Sequence, residues 1–292
     1  MIPSENVFGS LHERVAKICT PVFLQGNMFG FGHSQSTPNG TITFIKASNT
    51  VYYCTCKHIL DSAININNGL EHMKTLQIMG ERVICNLNSA LFVNKNNPSN
   101  FAFYPPFKVV NDLDLALMPV PMDHFKLYAK SKQKTFIDID ALSSPNYSKI
   151  DMLHAFGWPT EHKSMDENHV ITGMAGSYAE LQTKPLKPEI ESFLVFSELK
   201  EDHGYFFSGM SGGPVVYYEE DNDEYYPLGI IYEGNPGSQK SFEKDEPGLF
   251  TKKTIMYKCY HLTRDRFYYW LSKSQWLWSL DPRLKDYERK QQ

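Results

Sequence analysis

Six residues, Gly209-Met210-Ser211-Gly212-Gly213-Pro214, carry the strongest chemical signal in the chain, and the apolar run Val215-Val216-Tyr217-Tyr218 follows at once. A serine that attacks a carbonyl needs an accessible hydroxyl and two backbone N–H groups aimed at the oxygen that becomes negative. Gly209 can turn its N–H inward because it lacks a Cβ. Gly212 and Gly213 leave room beside Ser211, and Pro214 can open a strand where one missing donor is tolerated. The plain structural alternative is a glycine-rich hairpin turn with an incidental serine. Such a hydroxyl also needs a base. Residues 51–55 read as a strand that runs into a turn at Lys57-His58. The chain has 10 histidines, so most have other roles. His12, His72 and His124 lie in polar or helix-like contexts, and His154 lies in an apolar strand-like run. The third group expected is a carboxylate that holds the imidazole in one tautomer. Asp114 heads the run Leu115-Ala116-Leu117-Met118, where an unpaired carboxylate would be costly, so a partner is expected. Asp112 is the other candidate, with a turn acid as its structural reading.

These groups need strands to hold them. The 292 residues allow one large domain or two smaller ones that share an interface. Aromatic residues reach 14%, with 17 Tyr and 19 Phe, which favours sheets over a helical bundle. Short runs rich in Val, Ile, Phe and Tyr alternate with Gly, Asn and Pro clusters. The first set of expected strands is 22–25, 40–46, 51–55, 75–79, 83–86 and 113–120. The second is 152–156, 169–174, 176–181, 193–196, 214–218 and 228–232. A polar stretch, 123–148, reads as the connection between them. Residues 5–18 place Val7, Leu11, Val15 and Ile18 at helical spacing, and the chain turns helical again from Thr263. The acidic run 219–224 reads as a solvated hairpin tip. Trp276 and Trp278 belong either to packing or to a partner surface.

Three motifs in the order His, Asp, Ser resemble the trypsin/chymotrypsin serine protease superfamily, and most closely its intracellular, Deg-type branches. Thr55-Cys56-Lys57-His58 is similar to its T-x-x-H, Asp114-Leu115-Ala116-Leu117 to its D-[IL]-A-[LIV], and Gly209 to Pro214 to its G-x-S-G-G-P. Leu228-Gly229-Ile230-Ile231 and Pro247-Gly248-Leu249-Phe250-Thr251 resemble two further strands of its second barrel. The resemblance spans roughly residues 20–260. It implies an all-β fold of two antiparallel six-stranded β-barrels with a short N-terminal helix and a C-terminal helix. The first barrel, 20–125, would carry His58 and Asp114. A connection, 126–150, leads to the second barrel, 151–260, which carries Ser211, and a helical extension follows over 261–292. The implied activity is that of a serine endopeptidase, with an oxyanion hole formed by the N–H groups of Gly209 and Ser211. The implied substrate pocket holds Tyr205 at its floor, with Tyr232, Glu233, Gly234 and Gly248 around it. Without an acid at Tyr205, an apolar or medium-sized residue is the expected preference, although Glu233 near the entrance could bias it toward a basic one. The alternative is a catalytically inactive trypsin-like fold that acts as a protein-binding module.

Departures from the family pattern refine these expectations. Secreted members carry an acid just before the nucleophile, paired with an N-terminus freed by cleavage; here that place is Met210. Their catalytic histidine is usually followed by cysteine; here Ile59 follows. Five cysteines, an odd and scattered set, argue against a secreted disulfide framework. Cys54-Thr55-Cys56 could offer one metal-ligand pair, with buried thiols as the plain alternative. No metal and no cofactor is expected. No signal or membrane segment is expected near residues 1–17, and the implied location is cytoplasmic. A net charge of −4 gives no reason to expect nucleic acid or a membrane as partner. The expected partners are a protein or peptide substrate and, beyond it, a regulatory protein.

Overall fold

The computed structural model describes residues 5–25, 39–66, 84–87, 90–91, 107–110, 112–166, 169–182, 185–198, 208–235 and 253–276. Helix α1 (Glu5–Ile18) forms where the helical spacing places it, and Leu11, Val15 and Ile18 on its inner face are fully buried. Lys134 Nζ donates to the carbonyls of Ala16 and Cys19 at 2.7 and 2.9 Å. A cation thus meets the helix end whose carbonyls lack intrahelical partners.

The chain continues directly into β1 (Cys19–Gln25), β2 (Asn39–Ala47) and β3 (Thr50–Thr55), paired antiparallel through a tight turn at Ser48-Asn49. Helix α2 (Lys57–Ile66) then begins one residue after β3, where the sequence suggested only a turn. β4 (Ile84–Leu87) and β5 (Ala90–Leu91) extend the far edge, and β6 (Lys108–Val110) and β7 (Ala116–Pro121) the near one. The expected strand 113–120 is therefore shorter, and Asp114 sits in the turn before β7. Helix α3 (Met122–Lys132) and β8 (Ile137–Asp138), which pairs parallel with β2, lie inside the stretch read as a connection. The expected strand 75–79 lies outside the described residues.

The second half closes on itself. β9 (Met152–Gly157) is followed by a separate two-stranded ribbon, β10 (Lys163–Asp166) with β11 (His169–Thr172). Then come β12 (Ala175–Leu181), β13 (Ser192–Glu198), β14 (Pro214–Glu219), β15 (Glu224–Asn235) and β16 (Thr254–His261). The barrel order is β12-β13-β16-β15-β14-β9. Residues 169–172, expected as a barrel strand, pair with β10 instead. The sixth barrel position is filled by β16, and the expected strand 247–251 lies outside the described residues. The acidic run forms the hairpin tip between β14 and β15.

Among the described residues the first sheet does not close. It runs as the open path β17-β6-β7-β3-β2-β1-β4-β5, with β8 attached to β2. β17 (Ser274–Trp276), from the far end of the chain, takes the free edge of β6. It follows helix α4 (Arg264–Lys273), whose Thr263 cap accepts the N–H of Arg266. Trp276 therefore pairs within the sheet, while Trp278 lies outside the described residues. Among the described residues the fold is all-β with a few helices: one closed six-stranded barrel, one sheet that does not close, and the two-stranded ribbon.

Alternation along β3 joins the halves. Val51 and Tyr53 enter the core of the first sheet with Ile42, Phe44 and Met118. Cys54 turns the other way, into a shared core with Val15 and Ile18 of α1, Phe156, Val216 and Ile230 of the barrel, and Phe267 and Trp270 of α4. A third cluster, including Leu153, Val195, Val215 and Tyr257, fills the barrel. Among the described residues no helix is long and apolar enough to cross a membrane.

Candidate active site

His58 lies in the first turn of α2, where backbone N–H groups have no intrahelical acceptor. That turn carries no acid of its own. Asp114 supplies one from the turn before β7: its Oδ1 accepts the His58 N–H at 2.9 Å, and its Oδ2 meets His58 Nδ1. One carboxylate therefore caps the helix and grips the ring it presents. The turn that aims Asp114 is closed by Val110 N–H to the Leu115 carbonyl at 3.0 Å, and Asp112 supplies its left-handed residue at φ 68°. Asp112 is exposed and is the turn acid, so the carboxylate that reaches His58 is Asp114. Burial pushes the Asp114 carboxyl up, but the hydrogen bonds and charge of His58, with help from Lys57, outweigh it and hold the group below its ordinary value.

Behind Asp114 stands a residue the sequence reading did not single out. The Asp114 N–H donates to Tyr260 Oη on β16 at 2.9 Å. The Tyr260 ring stacks on Tyr232 with centroids 4.1 Å apart. Barrel and sheet thus meet beneath the His58–Asp114 pair. No local signal marks Tyr260, because its role depends on a contact 146 residues away.

Ser211 occupies a turn held by both halves. Thr41 N–H of β2 donates to the Ser211 carbonyl at 2.9 Å. Thr41 Oγ1 donates to the Gly209 carbonyl at 2.8 Å and Thr43 Oγ1 to the Gly212 carbonyl at 2.7 Å. On the barrel side Gly212 N–H donates to the Ile231 carbonyl at 2.7 Å. Gly213 N–H closes the turn on the Met210 carbonyl at 2.9 Å. Among the described residues the N–H groups of Gly209, Met210 and Ser211 are the turn's donors not taken by these contacts. Gly212 has φ 87°, and a Cβ there would collide with the Thr41 carbonyl oxygen; Gly209 has φ 100°. Both positions need glycine. Met210 is fully buried in the barrel core.

The structure brings His58 and Asp114 into direct contact. The turn that carries Ser211 and the link that leads into His58 share an anchor: Cys56 Sγ and Gly212 N–H both bond to the Ile231 carbonyl, at 3.3 and 2.7 Å. Thr55 Oγ1 donates to the Thr41 carbonyl at 2.8 Å. No family model and no curated protein matches the chain.

The remaining forecast residues divide. A β-bulge between Ile231 and Glu233 marks the site edge of β15, and Tyr232 at that bulge is held against Tyr260. The Glu233 carboxylate pairs with Lys258 Nζ at 2.7 Å, so its charge is already matched. Gly234 lies opposite Tyr257 in the β15–β16 ladder. Tyr205 and Gly248 lie outside the described residues.

Cys54 and Cys56 do not face one another as a ligand pair, since they fall in different core clusters. Cys56 instead groups with His58 and Asp114, with one ligand atom of each lying within 4.8 Å of the others. Burial first, then the charge of Asp114, pushes the Cys56 thiol well above its ordinary value. The CxC motif contained this cysteine, but only the turn into α2 reveals its partners.

Proposed function

We propose that the chain is a serine endopeptidase of trypsin-like, two-barrel type, with Ser211 as nucleophile, His58 as general base and Asp114 as the group that orients the base. The observation that carries this reading is the double grip of Asp114 on His58, in a chain whose serine turn is anchored on the same Ile231 carbonyl as Cys56. With Nδ1 engaged by the carboxylate, Nε2 is the ring atom assigned to take the serine proton. Ser211 Oγ attacks the peptide carbonyl, and the N–H groups of Gly209 and Ser211 stabilise the resulting oxyanion. His58 returns the proton to the leaving amine, and water releases the acyl group by the reverse steps.

Burial of Met210 in the barrel core supports an enzyme without zymogen cleavage, because no acid waits there for a new N-terminus. The engaged Glu233 supports an apolar or medium-sized residue at the primary site over a basic one. Cys19, Cys54, Cys56 and Cys259 are free and buried, which agrees with a cytoplasmic location.

A fluorophosphonate probe tests the reading. Covalent labelling that maps to Ser211 and vanishes in Ser211→Ala supports it. Failure of the folded wild-type protein to label, or labelling that persists in Ser211→Ala, rejects it in favour of a binding module.

A further inference from the structure

Cys56 completes a group of three ligands that peptide hydrolysis leaves partly unused. Its Sγ, a ring nitrogen of His58 and a carboxylate oxygen of Asp114 lie within 4.8 Å of one another. Sulfur, imidazole nitrogen and carboxylate oxygen are the donor types that zinc-like cations take. Each comes from a different piece of the fold: the link between β3 and α2, the first turn of α2, and the turn before β7. Cys56 is fully buried at the base, whereas the His58 and Asp114 side chains are 49% and 32% exposed. A cation could therefore arrive from solvent past the imidazole and keep a water as its fourth ligand.

The same geometry explains why the thiol is protonated without metal. Cys56 Sγ donates to the Ile231 carbonyl at 3.3 Å, and a thiolate would be repelled by the neighbouring Asp114. A divalent ion between sulfur and carboxylate reverses that repulsion.

We infer that Cys56, His58 and Asp114 form an inhibitory site for a soft divalent transition cation of the zinc type. On binding, the thiol proton leaves to solvent and the imidazole proton moves from Nδ1 to Nε2. The direct contact between His58 and Asp114 gives way to two metal–ligand bonds. His58 then has no free nitrogen with which to accept the Ser211 proton. Binding rests on the three ligands alone, and its effect on turnover rests on the hydrolase reading above.

The test uses chelator-stripped full-length protein titrated with Co²⁺ and then Zn²⁺. The expected result is a thiolate-to-cobalt charge-transfer band in the near ultraviolet that saturates at a single equivalent and is bleached by Zn²⁺. The band should be lost in Cys56→Ser and Cys56→Ala, weakened in the half-exposed His58→Ala, and retained in Cys54→Ser and Ser211→Ala. Absence of the band in the wild-type protein, or its persistence in the Cys56 variants, overturns the inference. An intact band in a protein whose chelator-stripped form no fluorophosphonate labels would sink the hydrolase reading alone.

Discussion

Replacing Asp114 with asparagine separates positioning from packing. Asp114 accepts the His58 N–H at 2.9 Å with one oxygen and meets Nδ1 with the other. Asparagine keeps a carbonyl oxygen for the N–H, so the cap on α2 survives. Its NH₂ now faces Nδ1, which drives the ring proton onto Nε2, the atom that must accept from Ser211. The precedent for that tautomer swap in a serine triad is a loss of about 10⁴-fold in kcat. At 1.36 kcal/mol per decade this is about 5.5 kcal/mol of transition-state stabilisation. A cap lost altogether costs only about 1 kcal/mol, so Asp114→Asn should change stability by less than that. In a chain of this size its Tm should fall by no more than about 2–4 °C. Asp114→Ala should match the loss of activity and add the cost of the missing cap. The measurements are turnover of a peptide substrate chosen from a library, and calorimetric Tm, for wild type and both variants. An asparagine variant that stays within about tenfold of wild-type kcat, where 10⁴ is expected, would refute the role given to Asp114.

Three further outcomes are expected. Gly212→Ala should lose at least about 2 kcal/mol in urea unfolding, since its φ of 87° is unfavourable for alanine and the new methyl meets the Thr41 carbonyl. A variant as stable as wild type would contradict the docking of the serine turn on β2. Tyr260→Phe keeps the stack on Tyr232 but strands the Asp114 N–H, for about 1–3 kcal/mol. Asp114 then holds the imidazole less firmly, so kcat should fall with KM little changed; unchanged kcat and stability would rule out Tyr260 as a positioning residue. Finally, stability should fall with pH in two stages. Burial lowers His154 and His261 to about 4. The unfolded chain therefore takes up their protons first below about pH 6.5, and stability declines from there toward pH 4. Asp114, held below its ordinary value, adds stability that is complete above its unfolded value near 4 and lost as pH falls through its folded value. A urea midpoint that stays flat between pH 6.5 and 4 would show that the two histidines are not buried as neutral groups.

What could be read along the sequence was what depends on neighbours in the chain. Helix α1 follows from its own apolar spacing, the tip at 220–222 from its own charges, and the start of α4 from the Thr263 hydroxyl. The turn around Ser211 was legible because its positive φ angles at 209 and 212 demand glycine. Features made by distant contacts were not legible. Helix α2 looks like a bare turn, since the acid at its N-terminus arrives 56 residues later. Residues 169–172 alternate like a barrel strand but find β10 first and leave the barrel to β12. Closure of the first sheet could not be judged from strand counts, because β17, from beyond α4, occupies the edge of β6. Tyr260 and Cys56 owe their places beside Asp114 to the joining of the two halves, for which local pattern holds no signal.

The serine turn belongs to neither half alone. Carbonyls on Gly209, Ser211 and Gly212 are each fastened to Thr41 or Thr43 across the seam. Prying the sheet and barrel apart would let this turn relax while each body kept its own hydrophobic interior. Mild denaturant should therefore silence Ser211 labelling before far-ultraviolet dichroism registers any melting.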